Sequence, residues 1–394
     1  MKAKSGEVPH VILHRRGAER WGRGHPWIYA SDLQAAAGLQ GGEVVRVLDQ
    51  RRWFLGQALY SKQSKIALRW LTYQDVPVDA DFWRARIHQA RALRELIYPA
   101  ERTYRAVHGD ADLLPGLIVD RYEDYLVAQF LVKGTEDRKE LLADLLAEAF
   151  ETKGLMNRSD ASVRALEGLP AVREVMRGQI PASVEYRVGA LRLLADLQQG
   201  QKTGAFLDQR ENQVACATYA RGDALDCFAY AGGFALQLAT RAAQVIAVES
   251  SEPAAQQLKA NCELNKLANV QVVIANAFDF LRDAVDEGRS FDTVVLDPPS
   301  FARNKASIDA ALRGYKEINL RAMQLLRPSG FLITCSCSYH VSEDLFEEML
   351  EAAAADAKRR FQIVDRRGAS RDHPVLLSLP ETRYLKCFVL RALR

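Results

Sequence analysis

From Asp223 onward, short apolar runs alternate with stretches of helical periodicity. Strands are expected at 224–230, 245–249, 270–275, 291–297 and 330–335, and helices at about 233–243, 253–265, 278–286, 309–326 and 342–356. Such alternation builds a parallel sheet with helices on both faces. Two final runs, 361–365 and 384–390, have no long helix between them, so an antiparallel pair is expected to close the sheet. The pattern predicts an α/β, Rossmann-like domain over residues 191–394.

The chain before this domain has two different patterns. Short strands at 11–13, 43–48, 53–60 and 66–71, separated by Gly41-Gly42 and polar turns, predict a small all-β domain over residues 1–75. Apolar residues at helical spacing over 82–98, strands at 117–120 and 125–131, a helix at about 135–150 and further strands to about 195 predict a small α+β domain over residues 76–190.

Composition excludes several classes of protein. Hydrophobic residues make up 48% and charged residues 26% of the 394 positions, which is typical of globular proteins. No apolar run approaches the roughly 20 residues of a membrane span, and MKAKSGEVPH has no apolar core of a secretory signal. Six irregularly spaced cysteines favour reduced thiols over a disulfide framework. We therefore expect a cytoplasmic protein with no membrane partner.

The net charge of +3 hides an uneven distribution of charge. Residues 1–75 contain twelve Lys and Arg against six Asp and Glu, whereas the rest of the chain carries no basic surplus. A basic module suits a polyanion, since phosphate contacts supply most of nonspecific nucleic-acid affinity. A solvated basic surface without a partner is the alternative.

The ends of the first two α/β strands suggest a nucleoside site. Phe228 and Tyr230 precede the adjacent Gly232 and Gly233, and Glu249 ends the next strand. The glycine spacing does not fit the G-x-G-x-x-G motif of dinucleotide sites, but a carboxylate at Glu249 can accept bonds from both ribose hydroxyls. A nucleoside without phosphates, such as S-adenosylmethionine, fits this combination. The glycine pair taken alone is equally compatible with a simple tight turn.

Two further segments extend the predicted cofactor site. Asn276 and Ala277 follow the third strand, where an amide could bind the adenine edge; Asn276 could equally cap the next helix. The segment 202–210 is dense in polar groups, so Asp208 could bind the ammonium group and Arg210 the carboxylate of the methionine moiety. An ordinary helix start at Asp208 is the competing interpretation.

The fourth strand ends in Asp297-Pro298-Pro299-Ser300-Phe301. The proline pair forces a rigid loop, in which Asp297 could bind the edge of a planar base and Phe301 could stack on it. Proline pairs also occur simply as strand terminators.

The fifth strand ends in Cys335-Ser336-Cys337, with both cysteines on one face in extended geometry. No second ligand pair for a zinc site is present in the sequence. A thiol at this position can act as a nucleophile, although buried cysteines are often core residues. Cytosine C5 needs such a thiolate, because addition at C6 is what makes C5 nucleophilic. Methylation of an amine or ring nitrogen has no such need.

Several motifs carry a family resemblance. KTGAFLDQR, DCFAYAGGFAL, VLDPPSF, RGYKEIN and CSCS, followed by DHP (372–374) and YLKCF (384–388), resemble the bacterial ribosomal RNA large subunit methyltransferase I family. The resemblance spans essentially the whole chain. It implies a class I methyltransferase domain that uses S-adenosylmethionine to make 5-methylcytosine in 23S ribosomal RNA. The segments 24–33 and 41–45 look like the PUA RNA-binding domain of that family.

The resemblance also assigns residues. Cys337 takes the place of the family's motif cysteine and is the expected nucleophile, while Asp297 is expected to orient the cytosine through its N3/N4 edge and to border the cofactor. Pro298, Pro299 and Phe301 would contact the base. The role of Cys335 stays open, as packing neighbour or accessory thiol. Ser300 stands where related enzymes have a second cysteine, so the base that removes the C5 proton is unassigned.

Two other functions compete with this one. A related guanine-N7 methyltransferase would share the Asp-Pro-Pro loop but lack the strand-five cysteine. A non-catalytic ribosomal RNA-binding or assembly protein would bind no S-adenosylmethionine. The target cytosine, the choice between naked 23S ribosomal RNA and an assembly intermediate, and a homodimeric state are not determined by the sequence.

Overall fold

The computed structural model describes residues 8–36, 38–200, 203–302 and 304–393. The chain divides into two compact units built from non-contiguous segments. The first unit comprises Met1–Glu185, Ala195–Leu207 and Arg371–Thr382, and the second comprises Tyr186–Leu194, Asp208–Ser370 and Arg383–Arg394. Lys202, in the predicted polar segment, lies outside the described residues. The three consecutive domains expected from the sequence stay a prediction.

The first sheet of the first unit contains β1 (His10–Leu13), β2 (Trp27–Tyr29), β3 (Leu33–Ala35), β4 (Val44–Leu48), β5 (Phe54–Tyr60) and β6 (Ile66–Thr72), in the order β2-β6-β5-β4-β1-β3. The strand-rich module expected from the sequence is present, and the structure adds helix α1 (Arg15–Gly22) after β1, which the all-β expectation did not include. This helix buries only Gly17 and Trp21, too few positions for a helical period to show in the sequence.

The second sheet of this unit is packed against helices. Its elements are α2 (Ala80–Ile97), β7 (Thr103–His108), β8 (Leu117–Tyr122), β9 (Tyr125–Phe130), α3 (Lys133–Glu136), α4 (Lys139–Phe150), β10 (Gly154–Ser159) and β11 (Val172–Gly178). The strand order is β11-β10-β9-β8-β7. Trp83 and Ile87 of α2 and Leu142 and Leu146 of α4 are completely buried in the core of this layer. The mixed α+β character expected from the sequence is present.

A two-stranded hairpin, β12 (Val184–Val188) and β13 (Leu191–Ala195), precedes the third large sheet. The elements that follow are α5 (Arg210–Cys216), β14 (Asp223–Cys227), α6 (Gly233–Ala239), β15 (Gln244–Glu249), α7 (Glu252–Leu264), β16 (Val270–Ile274), α8 (Ala277–Asp286), β17 (Phe291–Leu296), α9 (Ile308–Leu325), β18 (Leu326–Ser336), α10 (Glu343–Asp356), β19 (Phe361–Arg367) and β20 (Lys386–Ala392).

This seven-stranded sheet has the order β16-β15-β14-β17-β18-β20-β19. Strands β14 to β18 pair in parallel, and the last strand, β20, runs antiparallel to both β18 and β19. The predicted α/β fold with an antiparallel last strand is therefore confirmed. Because β15 and β17 flank β14, the carboxyl ends of these three strands meet at the switch point of the sheet, where ligands of open α/β sheets bind.

Two strand boundaries in this sheet differ from the prediction by three residues or more. β14 ends at Cys227 rather than at residue 230, because Phe228 and Tyr230 have left-handed backbone conformations, with φ of 66° and 47°. β18 begins at Leu326, so it is longer than the apolar run that predicted it. Among the described residues, none of the helices combines the length and the apolar character that crossing a bilayer requires.

Candidate functional site

The loop after β14 forms the base of the site. Gly232 adopts φ of 91° at the start of α6. A Cβ at this position would lie 2.4 Å from Cδ1 of Leu236 and 2.9 Å from Cγ of Leu258. A Cβ on Gly233 would lie 2.2 Å from the side-chain nitrogen of Gln213. Gly232 is therefore required by the packing of the turn itself, as the simple-turn interpretation expects, whereas a side chain at Gly233 would require only the end of the Gln213 side chain to move.

Glu249 ends β15 and holds this loop in place. One carboxylate oxygen accepts a hydrogen bond of 2.8 Å from the backbone N–H of Tyr230, and the other accepts one of 2.7 Å from the N–H of Ser251. The Ser250 hydroxyl also donates to the oxygen bonded by Ser251, at 3.4 Å. The oxygen bonded by Tyr230 therefore has the second lone pair that a ligand hydroxyl can use. Glu249 thus stabilises the turn and still has the capacity to hold a ribose.

The end of β16 contributes Asn276 and Ala277. The side-chain oxygen of Asn276 accepts a hydrogen bond of 2.9 Å from the N–H of Phe278, which makes Asn276 the N-cap of α8. The capping interpretation is confirmed, and it is compatible with a ligand contact because the Asn276 side chain is exposed. Ala277 is buried. The rings of Phe228 and Phe278 meet edge to face at 6.3 Å, so an apolar wall lies beside this residue.

The segment before α5 is buried. Asp208 lies in a 3-10 turn, Leu207–Gln209, that leads into α5, so the helix-start interpretation holds. One Asp208 carboxylate oxygen accepts a hydrogen bond of 2.7 Å from the Tyr384 hydroxyl. Arg210 is only 4% exposed. Asp208 and Arg210 thus place one acidic and one basic side chain in this buried segment.

Asp297 is the first residue after β17. One of its carboxylate oxygens accepts a hydrogen bond of 2.7 Å from the side-chain amide of Gln209, whose oxygen in turn accepts a bond of 2.7 Å from Asn212. Gln209 and Asn212 are each 2% exposed. This buried chain of amides fixes the orientation of the Asp297 carboxylate. Sequence reasoning missed Gln209, although it lies within the polar segment that was singled out.

Cys337 is the first residue after β18 and is partly exposed. Its Sγ lies 3.9 Å from the backbone oxygen of Pro298, so the two loops predicted to carry the chemistry are in contact. Pro298 is buried and Pro299 is exposed. All six cysteines are free thiols.

Ser338 joins the same two loops through its hydroxyl group. This oxygen lies 3.0 Å from the hydroxyl of Ser300 and 2.9 Å from that of Tyr315, and it accepts a bond of 3.2 Å from the N–H of Ala302. The ring of Phe301 lies 4.6 Å from that of Tyr315 and packs against the hydrophobic core. Ser338, the second serine of the Ser-Cys-Ser sequence, thus connects the loop after β18 to the loop after β17 by hydrogen bonds, a role that the sequence analysis did not identify.

Cys335 differs from Cys337 in its surroundings. It is completely buried and lies opposite Cys387 in the β18–β20 pairing. Burial and the neighbouring Cys387 raise the pKa of the Cys335 thiol well above its ordinary value. A thiol that resists ionisation is a poor nucleophile, which favours the packing role among the two that the sequence left open.

Asp226, on β14, is a further group that sequence reasoning missed. Burial, together with the carboxylates of Asp297 and Glu249, raises its pKa well above the usual value, against the opposing effect of the Ala235 backbone N–H. Neither carboxyl oxygen has a hydrogen bond of normal geometry among the described residues. Three neighbouring carboxyl groups favour a cationic ligand rich in hydroxyl groups. S-adenosylmethionine, with its sulfonium, ammonium and ribose, has this chemistry.

Comparisons with known proteins agree with this architecture. A family model described as a PUA-like domain matches residues 11–73, and one described as Conserved hypothetical protein 95 matches residues 211–359. A solved putative methyltransferase in complex with SAH (S-adenosylhomocysteine) is 20% identical, with a TM-score of 0.84 over 98% of this chain and 100% of the other. That likeness shows the fold.

Curated relatives match at higher identity. The chain is 40% identical over 382 residues to the ribosomal RNA large subunit methyltransferase I of Tolumonas auensis, and 38% identical over 380 residues to that of Yersinia pestis bv. Antiqua. Each match covers 94% of this chain and 96% of the relative. The chain therefore belongs to the ribosomal RNA large subunit methyltransferase I family.

Proposed function

We propose that this protein transfers a methyl group from S-adenosylmethionine to C5 of a cytosine in 23S ribosomal RNA, through a covalent bond between Cys337 and C6. The observation that carries this proposal is the partly exposed Cys337 thiol in contact with the Asp297-Pro298 loop. A nitrogen acceptor already has a lone pair and needs no thiol, so this arrangement favours cytosine C5 over guanine N7. The name of the curated relatives supports ribosomal RNA as the substrate.

The switch-point residues would hold the cofactor, which supplies an electrophilic methyl group on a sulfonium. Glu249 would bind the ribose hydroxyls, and Asp208 and Arg210 the ammonium and carboxylate groups. The adenine would lie between the Asn276-Ala277 corner and the side chains of Phe228 and Tyr230. Gly232 and Gly233 leave room for close approach of the backbone.

The reaction at the base follows from the chemistry of the thiolate. Cys337 Sγ would form a bond to C6, and the electron pair of the C5–C6 double bond would make C5 nucleophilic. C5 would then form a bond to the methyl group, whose bond to the sulfonium sulfur would break and leave its electron pair on that sulfur. A base then removes the proton from C5, the double bond re-forms, and the bond from Sγ to C6 breaks. One methyl group is gained and one proton is released.

Asp297, held by Gln209, would orient the cytosine through its N3/N4 edge. Pro298 and Pro299 fix the loop that bears it, and Phe301 would stack on the base. The cytosine must leave its stack to reach this site, which costs a few kcal/mol.

The PUA-like region would bind the RNA backbone. At the turn between β4 and β5, Trp53 is 71% exposed, and it follows Arg51 and Arg52, for which the described residues provide no ion-pair partner. The carboxylate of Asp49 accepts bonds from the N–H groups of Arg51 and Trp53, which fixes the turn. An exposed aromatic beside two arginines is typical of RNA contacts. The cytoplasmic location and the homodimer stay predictions.

The decisive experiment identifies the methylated nucleoside. The protein is incubated with methyl-labelled S-adenosylmethionine and unmodified 23S ribosomal RNA, and the digested RNA is analysed by mass spectrometry. We expect labelled 5-methylcytidine with the wild type, no labelled product with Cys337→Ala, and an undiminished yield with Cys262→Ser, a control thiol on α7. Labelled 7-methylguanosine, or an active Cys337→Ala variant, would contradict the proposal. Absence of S-adenosylmethionine binding would instead support the non-catalytic alternative.

A further inference from the structure

Lys386, the first residue of β20, is a buried cation with an unusual set of partners. Its side chain is 5% exposed, and its Nζ donates hydrogen bonds to three backbone oxygens: those of Ser338 and Val341, each at 2.7 Å, and that of Tyr384 at 2.9 Å. Three acceptors match the three N–H groups of an ammonium, whereas a neutral amine has only two. The geometry therefore requires the protonated form.

These bonds hold the segment that follows Cys337. β18 and β20 pair so that Ser336 lies opposite Lys386, and the oxygen of Ser338, one residue beyond the thiol, accepts from Nζ. Val341 closes the same turn, since its N–H donates to the Ser338 oxygen. Lys386 thus fixes the backbone immediately after the expected nucleophile.

The charge of Lys386 lacks a bonded carboxylate among the described residues. Burial lowers the pKa of its ammonium group to about 8, and the nearby Cys337 and Glu343 oppose this by raising it. Glu343, at the start of α10, also lies 3.7 Å from Arg366. From α9, the Tyr315 hydroxyl meets Ser338. Among these titratable groups, Cys337 is the one that directly precedes the turn held by Lys386, which contains Ser338 and Val341.

We propose that Lys386 is a positioning residue for Cys337, which it serves by fixing the turn after the thiol and by stabilising the thiolate with its buried charge. The relevance of this role to methylation rests on the proposed function. The interaction is reciprocal: if the thiolate favours the ammonium, the ammonium favours the thiolate by the same free energy. An ordinary thiol, with a pKa of about 8.5, is only a few per cent ionised at pH 7, so a nucleophilic cysteine benefits directly from such a neighbour.

The test measures the ionisation of the Cys337 thiol in the protein alone, with no RNA added. The full-length protein is alkylated with iodoacetamide between about pH 6 and about pH 10, and the rate at Cys337 is followed by peptide mass spectrometry, with the five buried cysteines as internal references. We expect a midpoint below about 8.5 in the wild type. Lys386→Met should raise it by about one unit, which is about a tenfold loss of rate at neutral pH, and Lys386→Arg should restore it.

A wild-type midpoint at or above that of an ordinary thiol would overturn the proposal, as would a folded Lys386→Met variant that alkylates like the wild type. Folding is checked by circular dichroism and S-adenosylhomocysteine binding. If Lys386→Met does not fold, the profiles of the wild type and Lys386→Arg decide the question. The methylation assay and the alkylation assay have separate negative outcomes. A methylated product other than 5-methylcytidine would contradict the proposed function, while the alkylation profile would still test the role of Lys386.

Discussion

Asp226 shows how a single buried side chain can make stability depend on pH. Because its pKa is raised in the folded state, the folded protein binds this proton more tightly than the unfolded chain does. The stabilisation is fully present below the ordinary carboxyl pKa and is lost as the pH rises toward the folded value. At neutral pH the acid therefore opposes folding, since it must be protonated or buried as an ion.

Replacement of Asp226 by asparagine removes this titration while keeping the shape of the side chain. We expect Asp226→Asn to raise the Tm of the ligand-free protein at pH 7 by a few degrees and to reduce the fall of Tm between about pH 5 and about pH 8. Thermal unfolding followed by circular dichroism measures both. Asp279→Asn, at an exposed position of α8, is the control and should leave the profile unchanged. A lower Tm for Asp226→Asn at every pH would show that the ionised carboxylate is what the fold requires.

At the scale of elements, the turn from β14 into α6 depends on glycine more strictly than the turn between α8 and β17 does. Gly232 and Gly288 both have positive φ, 91° and 69°, but a Cβ on Gly288 would meet no atom within 4 Å. A side chain at Gly288 would therefore experience backbone strain alone, whereas one at Gly232 would experience both backbone strain and steric overlap. Strain costs roughly 1–2 kcal/mol at either position, and overlap adds a further cost of about 1–3 kcal/mol at Gly232 alone.

We accordingly expect Gly232→Ala to lower the free energy of unfolding by about 2–5 kcal/mol and Gly288→Ala by about 1–2 kcal/mol. Urea unfolding measures the difference. Gly232→Ala should also weaken S-adenosylhomocysteine binding, because the displaced turn carries Tyr230, the hydrogen-bond partner of Glu249. Equal effects of the two substitutions on both measurements would refute the steric argument.

At the scale of the whole molecule, the first unit is joined internally by a buried ionic network. Arg69 of β6 lies 3.4 Å from Glu167 and 4.0 Å from Asp110, and its guanidinium stacks over Trp27. The Trp27 ring N–H donates to Asp110 at 3.0 Å. These contacts link the PUA-like sheet to the α+β region, so the two regions are expected to unfold together.

Removal of the cation tests this linkage. Arg69→Met leaves two nearly buried carboxylates without their partner and should destabilise the first unit by about 3–5 kcal/mol. The five tryptophans all lie between residues 21 and 83, so tryptophan fluorescence in urea reports on this unit. S-adenosylhomocysteine affinity should not change. Arg46→Met, which breaks the more exposed pair with Asp75, is the control and should cost less than about 1 kcal/mol. Equal shifts for both variants would contradict the role of the network.

The sequence by itself determines most of the second unit. Alternating apolar runs predicted its strands and helices, because a parallel sheet covered on both faces needs continuous apolar strands. Chemistry at the strand ends indicated Glu249, Asp297 and the two cysteines of strand five, because the carboxyl ends of parallel strands meet at one edge. The family resemblance then indicated Cys337 rather than Cys335. The cap at Asn276 was one of the two interpretations that the sequence offered, since capping depends on neighbouring residues alone.

Tertiary structure decided what depends on residues distant in sequence. Gln209 meets Asp297 across 88 positions, Tyr384 meets Asp208 across 176, and Lys386 reaches Ser338 across 48. It also separated Cys335 from Cys337, since only the packing of β20 buries one thiol and leaves the other accessible. The local sequence pattern predicts the periodicity of helices and strands and the residues that form turns. Hydrogen-bond partners and pKa shifts arise from burial and from side chains that only folding brings together.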